Sequence, residues 1–183
     1  MKKIILAILI TACYISQINA QVKFGLKGGV NFDNYKLKNT PLTVENSTGW
    51  QAGALLQLKV PGVGVAVQPE LLYTVNKVNV DHASNGIHYF EIPINLQLGL
   101  NLVLLRPYLQ AGPYFGYALK TEGDVFKEKI NKFDWGIGLG GGLEIWKLQF
   151  DARYSWGLQN VTISATNFEM KNNRFTVSLA YLF

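Results

Sequence analysis

The last ten residues, Arg174-Phe175-Thr176-Val177-Ser178-Leu179-Ala180-Tyr181-Leu182-Phe183, decide the fold. Phe175, Val177, Leu179, Tyr181 and Phe183 share one parity, and Arg174, Thr176, Ser178 and Ala180 the other. Side chains of an extended strand alternate between its faces, so this segment has one greasy face and one that is polar or small. A helix would need apolar residues three and four apart.

Upstream the same pattern recurs. Leu148, Phe150, Ala152, Tyr154 and Trp156 oppose Gln149, Asp151, Arg153 and Ser155; Trp135, Ile137, Leu139, Leu143 and Ile145 oppose Asp134, Gly136, Gly138, Gly140 and Glu144. Phe90, Ile92, Ile94, Leu96 and Leu98 oppose Glu91, Asn95 and Gln97. The alternation predicts eight strands: Val22 to Phe32, Thr48 to Lys59, Val63 to Val75, Ile87 to Leu100, Arg106 to Leu119, Phe133 to Ile145, Leu148 to Gly157 and Arg174 to Phe183. Their lengths suit the roughly 9 to 11 residues that a tilted strand needs to cross a bilayer. The connections alternate too. Val60-Pro61-Gly62, Asn101 to Leu105 and Trp146-Lys147 are short; Asp33 to Ser47, Asn76 to Gly86, Lys120 to Lys132 and Leu158 to Asn173 are long and polar.

A soluble sandwich would also alternate, because it buries one face and wets the other. Aromatic placement argues for a barrel in lipid. On the apolar parity, the loop end of each strand carries one aromatic: Phe32, Trp50, Tyr73, Phe90, Tyr117, Trp135, Trp156 and Phe175. One ring per strand at one height is the pattern of an interfacial girdle. Phe24, Phe150 and Phe183 suggest a thinner lower ring. The expected fold is therefore all-β: an eight-stranded antiparallel transmembrane β-barrel with short periplasmic turns, long extracellular loops and both termini in the periplasm.

Composition agrees. Hydrophobic residues make up 49% and charged residues 16% of 183, below the roughly 25% charged content of an average soluble domain. Residues 1–20 read as a signal peptide: Lys2 and Lys3, an apolar run from Ile4 to Ala12, and the cleavage site Ile18-Asn19-Ala20. The barrel domain is then 21–183. Ile10-Thr11-Ala12-Cys13 also resembles a lipobox, which would instead leave a lipid-anchored Cys13; against that, apolar residues continue through Tyr14 and Ile15. Without the leader the chain holds 15 basic and 12 acidic residues. Lys36, Lys38, Lys77, Lys127, Lys129 and Lys132 scatter among loops without forming a stripe, so nucleic acid is not an expected partner.

The polar parity predicts a lumen containing Lys23, Lys27, Lys59, Glu70, Glu91, Asp134, Glu144, Asp151, Arg153 and Arg174, with Gln57, Gln68, Gln97, Gln110 and Gln149. Eight strands enclose just enough room for side chains to fill. Charges there are desolvated and must pair, so Glu70 and Glu91 are expected to be offset by Lys27 and Arg153. Such a plug is structural filling or a narrow ion path, and equal numbers of acids and bases favour filling. Gly136, Gly138, Gly140 and Gly142 lack the helix and the Lys-Ser/Thr of a phosphate loop, and are expected to make room for Tyr108 and Tyr114. Asp81, His82, Ser84 and His88 could serve a hydrolase, but no Gly-x-Ser-x-Gly turn surrounds Ser84 and no third and fourth ligands accompany the histidines. No catalytic residue, metal or cofactor is expected.

Gln68-Pro69-Glu70-Leu71-Leu72-Tyr73 and Tyr89-Phe90-Glu91-Ile92-Pro93-Ile94 resemble the third and fourth strands of the PorT-like outer-membrane β-barrel family of Bacteroidota. Phe24-Gly25-Leu26-Lys27-Gly28-Gly29, Arg106-Pro107-Tyr108 and the terminal Tyr181-Leu182-Phe183 fit as well. The resemblance implies a Gram-negative outer membrane and a barrel without known catalytic residues. The terminal Phe183 after an alternating strand looks like the signal that the barrel-assembly machinery reads. The expected role is a non-enzymatic anchor in outer-membrane lipid whose loops meet a surface protein, a glycan or the envelope. A small transport or secretion-associated barrel is the alternative, and a membrane hydrolase a third.

Overall fold

The computed structural model describes residues 21–37, 47–80, 83–121, 133–158, 161–162 and 169–183. Every regular element among the described residues is a strand: β1 (Gln21–Leu37), β2 (Ser47–Lys59), β3 (Val65–Val80), β4 (Ala83–Gly99), β5 (Leu105–Thr121), β6 (Phe133–Ile145), β7 (Leu148–Gly157), a two-residue β8 (Val161–Thr162) and β9 (Glu169–Leu182). The eight long strands pair antiparallel in chain order. β9 then returns to β1, from Gly25↔Leu182 to Leu37↔Met170, and closes the sheet into a barrel. Closure satisfies the backbone groups that an open edge would leave unpaired in lipid.

β6 and β7 have the bounds that alternation predicts; other strands run further toward the loop end. β3 and β4 stay paired as far as Val80↔Ala83, so the expected loop from Asn76 to Gly86 is largely hairpin. A strand that has left the hydrocarbon no longer needs an apolar face, and its polar composition then reads as loop. The same holds for β1 and β9 at Leu37↔Met170, and for Val161 and Thr162, which pair with Met170 and Glu169 inside the expected loop from Leu158 to Asn173. At the other end β3 starts at Val65 rather than Val63. Gly64 has a φ of 75°, which interrupts an extended strand, and a Cβ there would run into the carbonyl of Gly99. Only glycine fits that turn.

Prolines interrupt the ladder. Between Pro69↔Ile94 and Leu72↔Glu91, and again between Pro93↔Tyr114 and Leu96↔Ala111, pairing lapses and resumes in the same register, as expected where the backbone N–H is missing. The Gln68-Pro69-Glu70 and Glu91-Ile92-Pro93 segments thus lie side by side on adjacent strands.

The wall sorts residues as the parity predicts. Apolar side chains point outward, including Ile92, Ile94, Leu96 and Leu98 of β4, whereas polar ones such as Gln68, Asn95 and Gln97 are fully buried inside. Trp50, Trp135 and Trp156 are 47, 42 and 39% exposed on the outer wall. A sandwich would have enclosed them, so the soluble alternative fails. A continuous apolar band of this extent is far beyond what a soluble monomer exposes. The expected leader 1–20, His82, and most of the long loops between Leu37 and Ser47 and between Thr121 and Phe133 lie outside the described residues.

Candidate functional site

The lumen holds the charges in three tiers. Nearest the short turns, Glu144 of β6 accepts hydrogen bonds from Lys23 of β1 at 3.0 Å, from Lys59 of β2 at 3.0 Å on each oxygen, and from Arg106 of β5 at 3.4 Å. In the middle, Lys27 of β1 sits between Glu70 of β3 and Asp151 of β7, 3.0 Å from each. Glu70 Oε1 also accepts from Gln68 at 2.8 Å and Asn95 at 3.1 Å, and Asp151 Oδ1 from Ser178 at 2.9 Å and Gln110 at 3.3 Å. Nearest the loops, Arg174 of β9 donates to Asp33 of β1 at 2.8 Å and to Glu91 of β4.

Glutamines link the lower tiers. Gln68 Oε1 accepts from Gln97 at 3.0 Å, Gln149 at 3.1 Å and Gln57 at 3.4 Å, and all four are fully buried. Gln57 and Gln149 donate to the same Gln68 oxygen, so the chain of bonds crosses the bore from β2 to β7. Removing two ions from water costs several kcal/mol per ion, and close pairing offsets this only when the remaining oxygens find donors. Donors gather on Glu70 Oε1 and Asp151 Oδ1, whereas Asp151 Oδ2 has the ion pair with Lys27 and Glu70 Oε2 has no hydrogen-bond partner among the described residues, so the condition is met only in part.

Lys27, Glu70, Glu91, Glu144, Asp151 and Arg153 all line the lumen. Lys27 meets Glu70 as expected. The pairing of Glu91 differs: its partner is Arg174, and the described bonds of Arg153 go to Asn95 Oδ1 and Ser155 Oγ, both at 3.2 Å. Parity assigns a face but not a height, and the stagger of the closed sheet lifts Arg174 to the level of Glu91. Two further charged residues join them. Asp33 lies in the stretch whose composition predicts a loop, yet it continues the parity of Lys27 and Asn31; Arg106 opens its strand and shares parity with Tyr108 and Gln110. With them the tiers carry opposite bias: three cations around Glu144 at the turn end, and Asp33, Glu91 and Asp134 with Arg174 at the loop end. The lumen is also not wholly polar, since Leu55, Ala180 and Leu182 form a small apolar cluster inside it.

The eight girdle residues stand on the outer wall, seven of them 39 to 49% exposed and Tyr73 half-buried. Their rings touch across strands: Phe32 and Phe175 at 6.3 Å, Trp50 and Tyr73 at 6.0 Å, Tyr73 and Phe90 at 5.7 Å between centroids. Tyr117 lies opposite Phe90, and Trp135 opposite Phe115. Phe115, Phe133 and Tyr154 extend the ring beyond the sequence expectation. Of the hydrolase candidates, Asp81 and His82 lie outside the described residues, Ser84 pairs with Asn79 in the β3–β4 ladder, and His88 Nδ1 lies 2.7 Å from the Tyr73 hydroxyl, within the girdle.

A closed antiparallel barrel with an apolar outer wall and a packed polar lumen defines an outer-membrane β-barrel protein. Residues 15–162 match the outer membrane protein beta-barrel domain, and the chain belongs to that family. No curated protein matches it in sequence. Among solved structures it is similar to Neisserial surface protein A (TM-score 0.56, 12% identity, covering 87% of this chain and 97% of that one). It is also similar to Ail, the attachment invasion locus protein of Yersinia pestis (0.53, 14%, 89% and 99%), and to the outer membrane enzyme PagL (0.58, 8%, 86% and 98%). At such identities these likenesses show the fold.

Proposed function

We propose that this protein is a non-enzymatic anchor whose rigid barrel presents its loop end to surface proteins, glycans or other envelope components. The observation that supports it is the filled bore: fully buried Gln57, Gln68, Gln97 and Gln149 bridge opposite walls between two charged tiers. A plug of that kind holds the strands in register and obstructs the bore, so specificity falls to the loops that the scaffold positions. One similar barrel, Ail, was crystallised with the heparin analogue sucrose octasulfate, which favours a glycan among the possible contacts. Within the family, the adjoining Gln-Pro-Glu and Glu-Ile-Pro segments support a PorT-like relationship, though not a part in secretion.

Purified protein in planar bilayers is expected to give no stepwise conductance; discrete openings would instead support a transport role. PagL is an enzyme on a similar barrel, so the same preparation should be assayed for lipid and peptide hydrolysis. Activity lost on His82→Ala would replace the anchor by the hydrolase reading.

A further inference from the structure

The connections at the turn end carry a single charge, Lys147, although the lumen behind them is charged. These connections are Val60-Pro61-Gly62-Val63-Gly64, Leu100-Asn101-Leu102-Val103-Leu104 and Trp146-Lys147. Val63, Leu100, Leu102 and Leu104 are 57 to 79% exposed, and Val103 is 100% exposed. Turns that stand in water draw on Gly, Asn, Asp, Ser and Pro, because their side chains cap the backbone or permit its geometry. Three leucines and a valine within five residues do neither.

Trp146 adds an independent observation. It is 78% exposed with a φ of 56°, at the first position of a two-residue hairpin turn where glycine fits without strain and a bulky side chain is disfavoured. An indole held there despite its conformation points to a contact made by the ring itself. Lys147 lies 5.8 Å from the centroids of both Trp146 and Tyr181, and a cation beside aromatic rings suits the boundary between acyl chains and phosphates.

The patch is continuous with the lipid-facing wall. Val63, Leu98, Leu100, Pro107 and Leu109 line an outward groove of about 370 Å³, and Leu98 and Leu109 belong to the apolar belt. Height agrees as well. From the girdle at Phe90 down to Leu98, strand rise and tilt give roughly 20 Å, against an apolar band about 25 Å tall. Leu100 and the turn after it therefore fall at the lower boundary of the hydrocarbon.

We propose that the turn-side rim is embedded in the inner leaflet of the outer membrane, with Leu102–Leu104 and Trp146 at the headgroup boundary and a phospholipid acyl chain in the groove. This goes beyond the anchoring role and does not depend on what the loops bind. It leaves little of the turn end standing in the periplasm.

The test places a nitroxide at Val103→Cys, on a Cys13→Ser background, in the full chain refolded into vesicles of phosphatidylethanolamine and phosphatidylglycerol. Oxygen is expected to relax the label more than a water-soluble nickel chelate does, as at Ile94→Cys within the belt. Dominant relaxation by nickel would overturn the proposal. So would a label that is wet in vesicles but shielded in native outer membranes, since a protein partner would then cover the rim. A second readout uses tryptophan quenching by brominated phospholipid: Trp146→Gly is expected to remove part of the quenchable emission, and an unchanged fraction places the indole in water and rejects the embedded rim.

Discussion

Lys27 joins three strands through one ammonium group in the middle of the lumen. Its neighbours Glu70 and Asp151 are both buried, so removing the cation leaves two carboxylates facing each other without water. Lys27→Met should destabilise the barrel by about 3–5 kcal/mol. Replacing the group together, as Lys27→Met with Glu70→Leu and Asp151→Leu, should cost less, because the two carboxylates are no longer left facing each other. Urea unfolding from vesicles measures both, and a triple variant weaker than the single one would contradict this account. That Lys27 and Glu70 share the lumen was readable from parity. That Arg174, and not Arg153, answers Glu91 was not, since the answer depends on how far β9 is staggered against β4 across the bore.

Within β6 the alternate glycines serve the bulky residues around them. A Cβ on Gly142 would stand against the carbonyl of Phe150 and the Tyr108 hydroxyl, and one on Gly136 against the carbonyl of Trp156 and the Tyr114 ring. Gly138 differs: the nearest atoms are the Cδ and Nε of Arg153 at 3.0 Å, the movable part of a long side chain. Gly142→Ala should therefore cost about 1–3 kcal/mol by overpacking, and Gly138→Ala clearly less. Equal losses in urea midpoint would mean that β6 yields as a whole rather than at these contacts. The strand itself was legible because Trp135, Ile137 and Leu139 keep strict alternation. The loop-end extensions of β3 and β4 were not, because a strand above the lipid lacks the apolar face that marks it.

At the scale of the molecule, closure by β9 against β1 and β7 makes the fold cooperative. Val177 pairs with Val30 on one side and Ala152 on the other. Val177→Pro removes a backbone donor at the seam and forces the ladder apart. Unheated wild-type protein is expected to migrate faster in detergent gels than boiled protein and to fractionate with the outer membrane. Val177→Pro should lose the fast band, while Val177→Thr should keep it. A fast band in the proline variant would show that the seam tolerates a break, as the native ladder does at Pro69 and Pro93.

The sequence by itself determined the strand count, the short and long ends, and which side chains meet lipid or lumen. Each of these follows from local period-two alternation and turn composition. Only the tertiary structure decided which charges pair, that Asp33 and Arg106 join the lumen, that Leu55 and Leu182 form an apolar patch among polar neighbours, and that Trp146 sits in a strained turn. Those facts depend on register and stagger around a closed sheet, which bring together residues more than a hundred positions apart, such as Asp33 and Arg174. No local pattern in the chain encodes that distance.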